Sequence, residues 1–172
     1  MVELMPFGNY QGKSIEQIAL ADYKYFAEFL VDGIEIRKRS LRNRIQVVEY
    51  VLNHFKPVLP CGYDDCEEIP RYISIYNGYG GIRTSSTDFI YCSQECFDAD
   101  PKVTIESHKP VLTRLGFRAA LSGTKFDTKQ LVEVLSDCMG LKEGRKTKEY
   151  LEHFIDEKEC WPGRDPRPRS LF

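Results

Sequence analysis

Cys61-Gly62-Tyr63-Asp64-Asp65-Cys66 and Tyr91-Cys92-Ser93-Gln94-Glu95-Cys96 place four of the chain's six cysteines in two close pairs, spaced CxxxxC and CxxxC. Each pair closes a loop of only a few residues, so its thiols can be held together at small entropic cost. Two such pairs around a short structured insert supply the four thiolates that tetrahedral Zn²⁺ takes in structural sites. The second pair stands where a helix is expected to start. With Cys92 in the first turn, Cys92 and Cys96 project from one face beside unpaired backbone N–H groups that favour thiolate. The first pair belongs on a turn, for which Gly62, Asp64 and Asp65 are suited. Cys61, Cys66, Cys92 and Cys96 are therefore the expected ligands of a structural zinc ion.

The alternatives are a disulfide framework, an iron–sulfur centre and buried free thiols. A small secreted domain is expected to carry a leader, and Met1-Val2-Glu3-Leu4-Met5-Pro6-Phe7 has no basic start followed by an apolar run. The expectation is an intracellular, cytoplasmic setting whose reducing conditions disfavour disulfides. Cys138 lies in an apolar helical pattern and reads as core; Cys160 stands beside Trp161 and reads as a terminal contact. Neither is assigned to the metal.

The insert between the pairs reads as a β-hairpin with arms Arg71-Tyr72-Ile73-Ser74-Ile75-Tyr76 and Thr87-Asp88-Phe89-Ile90-Tyr91. A knuckle, a hairpin and a helix carrying the last two ligands is the treble-clef arrangement. Phe89-Ile90-Tyr91-Cys92-Ser93-Gln94-Glu95-Cys96-Phe97 resembles the aromatic-Cys-Ser-x-x-Cys ending of MYND, TRASH and FCS-type treble-clef fingers. The resemblance covers the second half of the site, and the first pair is wider than the common CxxC knuckle. In the glycine-rich tip, Tyr79 and Arg83 are suited to stack on a base and pair with a phosphate. A plain surface loop is the other reading of that tip.

Near the N-terminus, Met5-Pro6-Phe7-Gly8-Asn9-Tyr10-Gln11-Gly12-Lys13 predicts a tight turn bracketed by Gly8 and Gly12, with Phe7 and Tyr10 packed beneath it. Ser14 and Gln17 form a capping-box pattern for a short helix, and Asp22 can cap the next, whose Tyr23, Phe26, Ala27 and Leu30 share a face. Residues 5 to 30 resemble the small domain at the C-terminus of exodeoxyribonuclease X and its stand-alone relatives (the DUF3820 type). That signature runs roughly Met-Pro-Phe-Gly-Lys-Tyr-x-Gly-Lys, then a short helix and a second helix from Asp-Tyr to Trp-Leu. Asn9 departs from the usual basic residue, Phe29 from the frequent Trp, and Ala19-Leu20-Ala21 from the usual Pro before Asp-Tyr. The resemblance implies an accessory module in nucleic-acid transactions and brings no catalytic residues.

A long helix is expected over residues 34–55, with Leu41, Ile45, Val48, Leu52 and Phe55 as its apolar stripe. Its opening carries Arg37, Lys38, Arg39, Arg42 and Arg44, opposed nearby only by Glu35. Closely spaced arginines suit bidentate phosphate contact, and a solvated, charge-balanced helix face is the alternative. With a formal charge of −2, the chain as a whole does not attract nucleic acid, so any binding rests on such a patch.

Beyond Cys96, Lys109–Leu115 reads as a loop or short helix. A helix is expected from Thr128 to Gly140, with Leu131, Val134, Leu135 and Cys138 facing inward, and another from Thr147 to Lys158. The Pro- and Arg-rich residues 162–172 read as an extended or disordered tail. The expected organisation is α+β and mostly helical: a helical module over 1–57, a four-cysteine zinc finger over 58–100, a helical section over 101–161, then the tail. His54, His108 and His153 all lie outside the 61–96 segment, so no general base sits on the metal module. No phosphate-cradling loop or local nucleophile motif is found. The functional expectation is a zinc protein without catalysis of its own that binds DNA, RNA or a nucleic-acid-processing complex. A protein-interaction adaptor is the alternative, and a metal-dependent nuclease using acidic residues is a third reading. No small-molecule substrate and no membrane partner are expected.

Overall fold

The computed structural model describes residues 3–75, 90–104, 111–122 and 128–141. The chain divides into two compact units, Met1–Phe55 with Glu143–Phe172, and Lys56–Lys142. The predicted 147–158 helix, the arginine-rich tail, Cys160, Tyr79 and Arg83 lie outside the described residues.

In the first unit the turn predicted from its glycines forms. Gly8 and Gly12 take φ of 74° and 79°, a region that side chains other than glycine's rarely tolerate. Its ends are tied by Met5 N–H to Lys13 C=O (2.9 Å) and Gly12 N–H to Met5 C=O (2.8 Å), and Leu4 and Ser14 form an antiparallel bridge. Met5 is buried beneath the turn, whereas Phe7 stays exposed, contrary to the expected packing. Tyr10 instead lies against Tyr25, ring centroids 4.8 Å apart, and donates its hydroxyl proton to Asp22 (2.8 Å).

Helix α1 (Ile15–Ala21) starts in the predicted capping box, Ser14 Oγ accepting from Gln17 N–H and the Gln17 side chain from Ser14 N–H. Asp22 accepts from Tyr25 N–H and caps α2 (Tyr23–Tyr25), which runs on as a π-helix through Phe26–Val31. The wider π register is seen in the bond from Asp32 N–H to the Ala27 carbonyl, five residues back. Tyr23, Phe26 and Leu30 are buried and Ala27 is half-buried, as their helical spacing predicts. Helix α3 (Arg39–His54) packs on α1 and on the π-helix, burying Leu41, Ile45, Val48, Val51 and Leu52, with Phe55 buried just past its end. It begins five residues later than expected. Gly33 breaks the chain after Asp32, and the alternating Ile34 and Ile36 favour extended backbone. Ile36 is buried and anchors that stretch.

The second unit is built on a three-stranded antiparallel sheet of order β2-β1-β3, with β1 Tyr72–Ile75, β2 Ile90–Tyr91 and β3 Val111–Arg114. Tyr72 pairs with Tyr91 on one side and Arg114 on the other; Ile73 pairs with Ile90 and Thr113. The described parts of the two predicted hairpin arms, Tyr72–Ile75 and Ile90–Tyr91, thus form an antiparallel pair, and residues 76 and 87–89 lie outside the described residues. The strand β3 corrects the expected loop or short helix at 109–115: its burial does not alternate, and its order comes from the ladder offered by β1. Helices α4 (Gln94–Ala99) and α5 (Pro101–Thr104) follow β2, and α6 (Phe117–Ser122) follows β3.

Helix α7 (Thr128–Cys138) ends at Gly140, as expected, with φ of 79° and a Leu141 N–H to Ser136 C=O bond of 2.9 Å that completes a Schellman-type cap. A Cβ at Gly140 would meet Val58 at 3.2 Å. The buried face of the helix holds Val132, Leu135, Ser136 and Cys138. Of the expected inner face, Leu135 and Cys138 are buried and Val134 is half-buried, while the Leu131 side chain lies outside what is described. Ser136 is tolerated inside because its hydroxyl donates to the Val132 carbonyl (2.6 Å). Cys138 is fully buried, in keeping with a core role, and burial pushes its thiol up to about 12.

Candidate metal centre

Cys61 to Cys66 forms a knuckle on the chain entering the sheet. Gly62 N–H donates to the Ile90 carbonyl (2.7 Å), hanging the knuckle on β2. Cys66 N–H reaches the Tyr63 carbonyl (3.3 Å) through a turn in which Asp65 has φ of 63°. Asp is among the few side chains that tolerate this left-handed conformation, and the turn directs the second thiol back toward the first.

The other pair sits where β2 meets α4. Ser93 caps the helix, its Oγ accepting from Cys96 N–H (3.3 Å). Cys92 therefore precedes the cap and is not in the first turn as expected. The serine between the two cysteines takes the cap position, so the helix starts only at Gln94. The thiols still converge, because the chain turns at Ser93.

All four Sγ atoms lie within 4.8 Å of one another. Individual separations are 3.3 Å for Cys92–Cys96, 3.6 Å for Cys66–Cys92 and 3.8 Å for Cys96–Cys66. A tetrahedron of sulfurs about 2.3 Å from zinc has edges of about 3.8 Å, so this cluster has the dimensions of a closed four-thiolate site. The separations exceed the roughly 2.05 Å of a disulfide bond, and these cysteines are free. Four clustered cysteines here could hold a metal ion.

The electrostatics explain what a cation would contribute. Burial raises the Cys61 thiol against the opposing backbone N–H groups of Tyr63 and Cys92, and burial and the thiols of Cys96 and Cys66 push Cys92 up to about 11. Cys96, which a bond to Cys92 alone would lower, is raised by burial and Cys66. Only Cys66 is lowered, by the Glu68 backbone N–H first of all. Four thiolates cannot share this space without a positive charge among them.

Beneath the thiols, Cys61 is buried with Tyr91, Phe97 and Val103. Tyr91 meets Phe97 edge-on at 5.3 Å and donates its hydroxyl proton to buried Asp100 (2.9 Å). This support was not foreseen. The pairing of Tyr91 with Asp100 carries no local signature, because the bond exists only once α4 folds back over β2.

The basic residues of the first unit are dispersed by the later start of α3. Arg37 precedes the helix, Lys38 is its N-cap residue, and Arg39 and Arg42 are exposed on its first turns. The helix has neither a side-chain cap bond nor an acidic residue in its first turn. Lys38 is paired with Glu3 at 2.8 Å. Arg44 does not belong to the exposed set, since its side chain is 14% exposed and pairs with Glu16 of α1, itself 1% exposed. Arg42 and Arg44 are two residues apart, about 200° around a helix, so spacing sets them on different faces and leaves only Lys38, Arg42 and Arg39 for a shared one. What spacing does not supply is the partner of Arg44. The signal was Glu16 on the first helix, set between the buried Ile15 and Ile18.

No protein-family model, curated protein or solved structure matches this chain. Among the described residues no helix is long and apolar enough to cross a membrane.

Proposed function

We propose that this chain is a zinc-stabilised accessory protein that binds nucleic acid through its first unit and has no catalysis of its own. The observation that carries the metal part is the convergence of Cys61, Cys66, Cys92 and Cys96 at tetrahedral spacing. Four sulfur ligands leave no open coordination position for substrate or water, which suits a structural ion. The ion ties the knuckle, β2 and α4 into one treble-clef-like element over a small aromatic core.

The nucleic-acid part is supported by Arg37, Arg39 and Arg42, exposed around the start of a 16-residue helix, with Lys38 at its cap. The positive end of the helix dipole faces the same way and favours an anion. It is also supported by the resemblance of residues 5 to 30 to the exodeoxyribonuclease X module. A patch of about three to five basic side chains gives modest affinity that falls steeply with salt.

The test is the triple change Lys38→Glu, Arg39→Glu and Arg42→Glu, with binding to labelled DNA and RNA oligonucleotides measured at graded salt. Loss of binding with zinc content and helical signal unchanged is expected. Tight binding that survives the change places the contact elsewhere. No binding by the unaltered protein even at low salt favours the adaptor reading, and Mg²⁺- or Mn²⁺-dependent cleavage favours the nuclease.

A further inference from the structure

The cations at the start of α3 are not all open to solvent partners, because the chain lays one of its own anions on them. Glu3 lies 35 residues before Lys38, yet its carboxylate accepts from Lys38 Nζ at 2.8 Å and also bonds the Ser40 side chain. The Glu3 side chain is only 14% exposed, against 62% for that of Lys38. Its backbone is held in place from next door, where Leu4 bridges to Ser14 at the head of α1. Lys38 and Ser40, in that order, hold the Glu3 carboxyl below its ordinary range, so it is an anion at neutral pH.

A carboxylate and a phosphate oxygen compete for the same donors, since both are anionic acceptors of ammonium and hydroxyl hydrogen bonds. No acidic residue lies in the first turn of α3, so Glu3 supplies from a distance the negative charge that this helix start favours. Arg37, Arg39 and Arg42, exposed around it, present further positive charge to a longer anion.

We propose that Glu3 is an internal competitor for the phosphate backbone: nucleic acid displaces its carboxylate from Lys38 and Ser40, and Glu3 thereby limits affinity. This rests on the phosphate-binding reading of the first unit and adds its regulation. The contact is an intramolecular gate on one cation of the patch. Any partner or condition that draws Glu3 away strengthens binding without altering the arginines.

Glu3→Gln tests it, with Glu28→Gln, an exposed site on the π-helix, as the control for the same change in net charge. Binding of the full chain to a labelled single-stranded oligonucleotide is measured by anisotropy across salt. An ion pair with one exposed partner is weak, so Glu3→Gln is expected to bind only about two- to five-fold tighter. Its salt slope should steepen by about 0.7, the increment for one further phosphate contact on a single strand. Glu28→Gln should show neither change beyond its small net-charge effect. In a Lys38→Gln background the gain from Glu3→Gln should vanish.

Equal affinity of Glu3→Gln and Glu28→Gln, or a gain that persists without Lys38, overturns the competition. Loss of binding in the triple charge reversal alongside an inert Glu3→Gln overturns only this inference. Binding by neither the unaltered protein nor Glu3→Gln overturns both readings.

Discussion

Replacing Arg44 by methionine is expected to destabilise the first unit by about 3–5 kcal/mol, the cost of removing one partner from a buried ion pair. The magnitude follows from the setting. Glu16 is 1% exposed, its Oε2 has no hydrogen-bond partner among the described residues, and the Arg44 side chain that serves Oε1 is 14% exposed. Methionine keeps much of the apolar stem but removes the guanidinium, leaving a carboxylate between α1 and α3 without a counter-charge. Arg42, exposed two residues earlier, is the control, and Arg42→Met should stay within about 0.5 kcal/mol. The double variant Glu16→Met, Arg44→Met removes both charges and should recover most of the loss, because an apolar pair of similar volume is often neutral or better. Urea denaturation followed by far-UV circular dichroism measures all three. At a slope of about 2 kcal/mol per molar, the single variant's midpoint falls by roughly 2 M. If Arg44→Met costs no more than Arg42→Met, or if the double variant is as unstable as the single, the buried-charge reasoning is wrong.

The unaltered protein is expected to carry one zinc ion per chain in elemental analysis, and Cys92→Ser should abolish it and open the 61–97 segment to protease, since metal binding and folding are coupled in small thiolate sites. Retained metal in the variant would refute the ligand assignment. Cys138→Ala should flatten the alkaline end of the stability profile. The folded thiol, pushed up to about 12 by burial, stays protonated while the unfolded one ionises from its ordinary value of 9.0, so stability is constant below pH 9 and falls as pH rises from 9 toward 12. Equal alkaline losses with and without Cys138 would show that the thiol is not buried as described.

Local chemistry was legible wherever neighbours in sequence are neighbours in space. The Gly8–Gly12 turn, the Ser14–Gln17 capping box, the Asp22 cap and the Gly140 stop follow from φ preferences and short hydrogen bonds that a few residues settle among themselves. The apolar stripe of α3 and the convergence of the two cysteine pairs were legible for the same reason, since helical period and close ligand spacing both survive without knowledge of partners. What failed turned on which of two nearby residues takes a single contact. Phe7 stays exposed because Tyr10 takes the aromatic contact with Tyr25, and Cys92 falls outside the helix because Ser93 wins the cap.

The sequence by itself determined the two cysteine pairs, the Ser14, Asp22 and Gly140 caps and the α3 core stripe, because each rests on a local spacing or a helical period. Only the tertiary structure decided which partners the charges of the basic stretch find. Arg44 was drawn inward by Glu16 from α1 and Lys38 was paired by Glu3 from 35 residues away, while Arg37, Arg39 and Arg42 kept their exposure. It also decided that Val111–Arg114 is a strand, through a ladder with β1. Pairing of charges and of strands depends on distances between segments remote in the chain. Those distances are set by how α1 packs on α3 and by which strand edge is open, and no window of the sequence contains them.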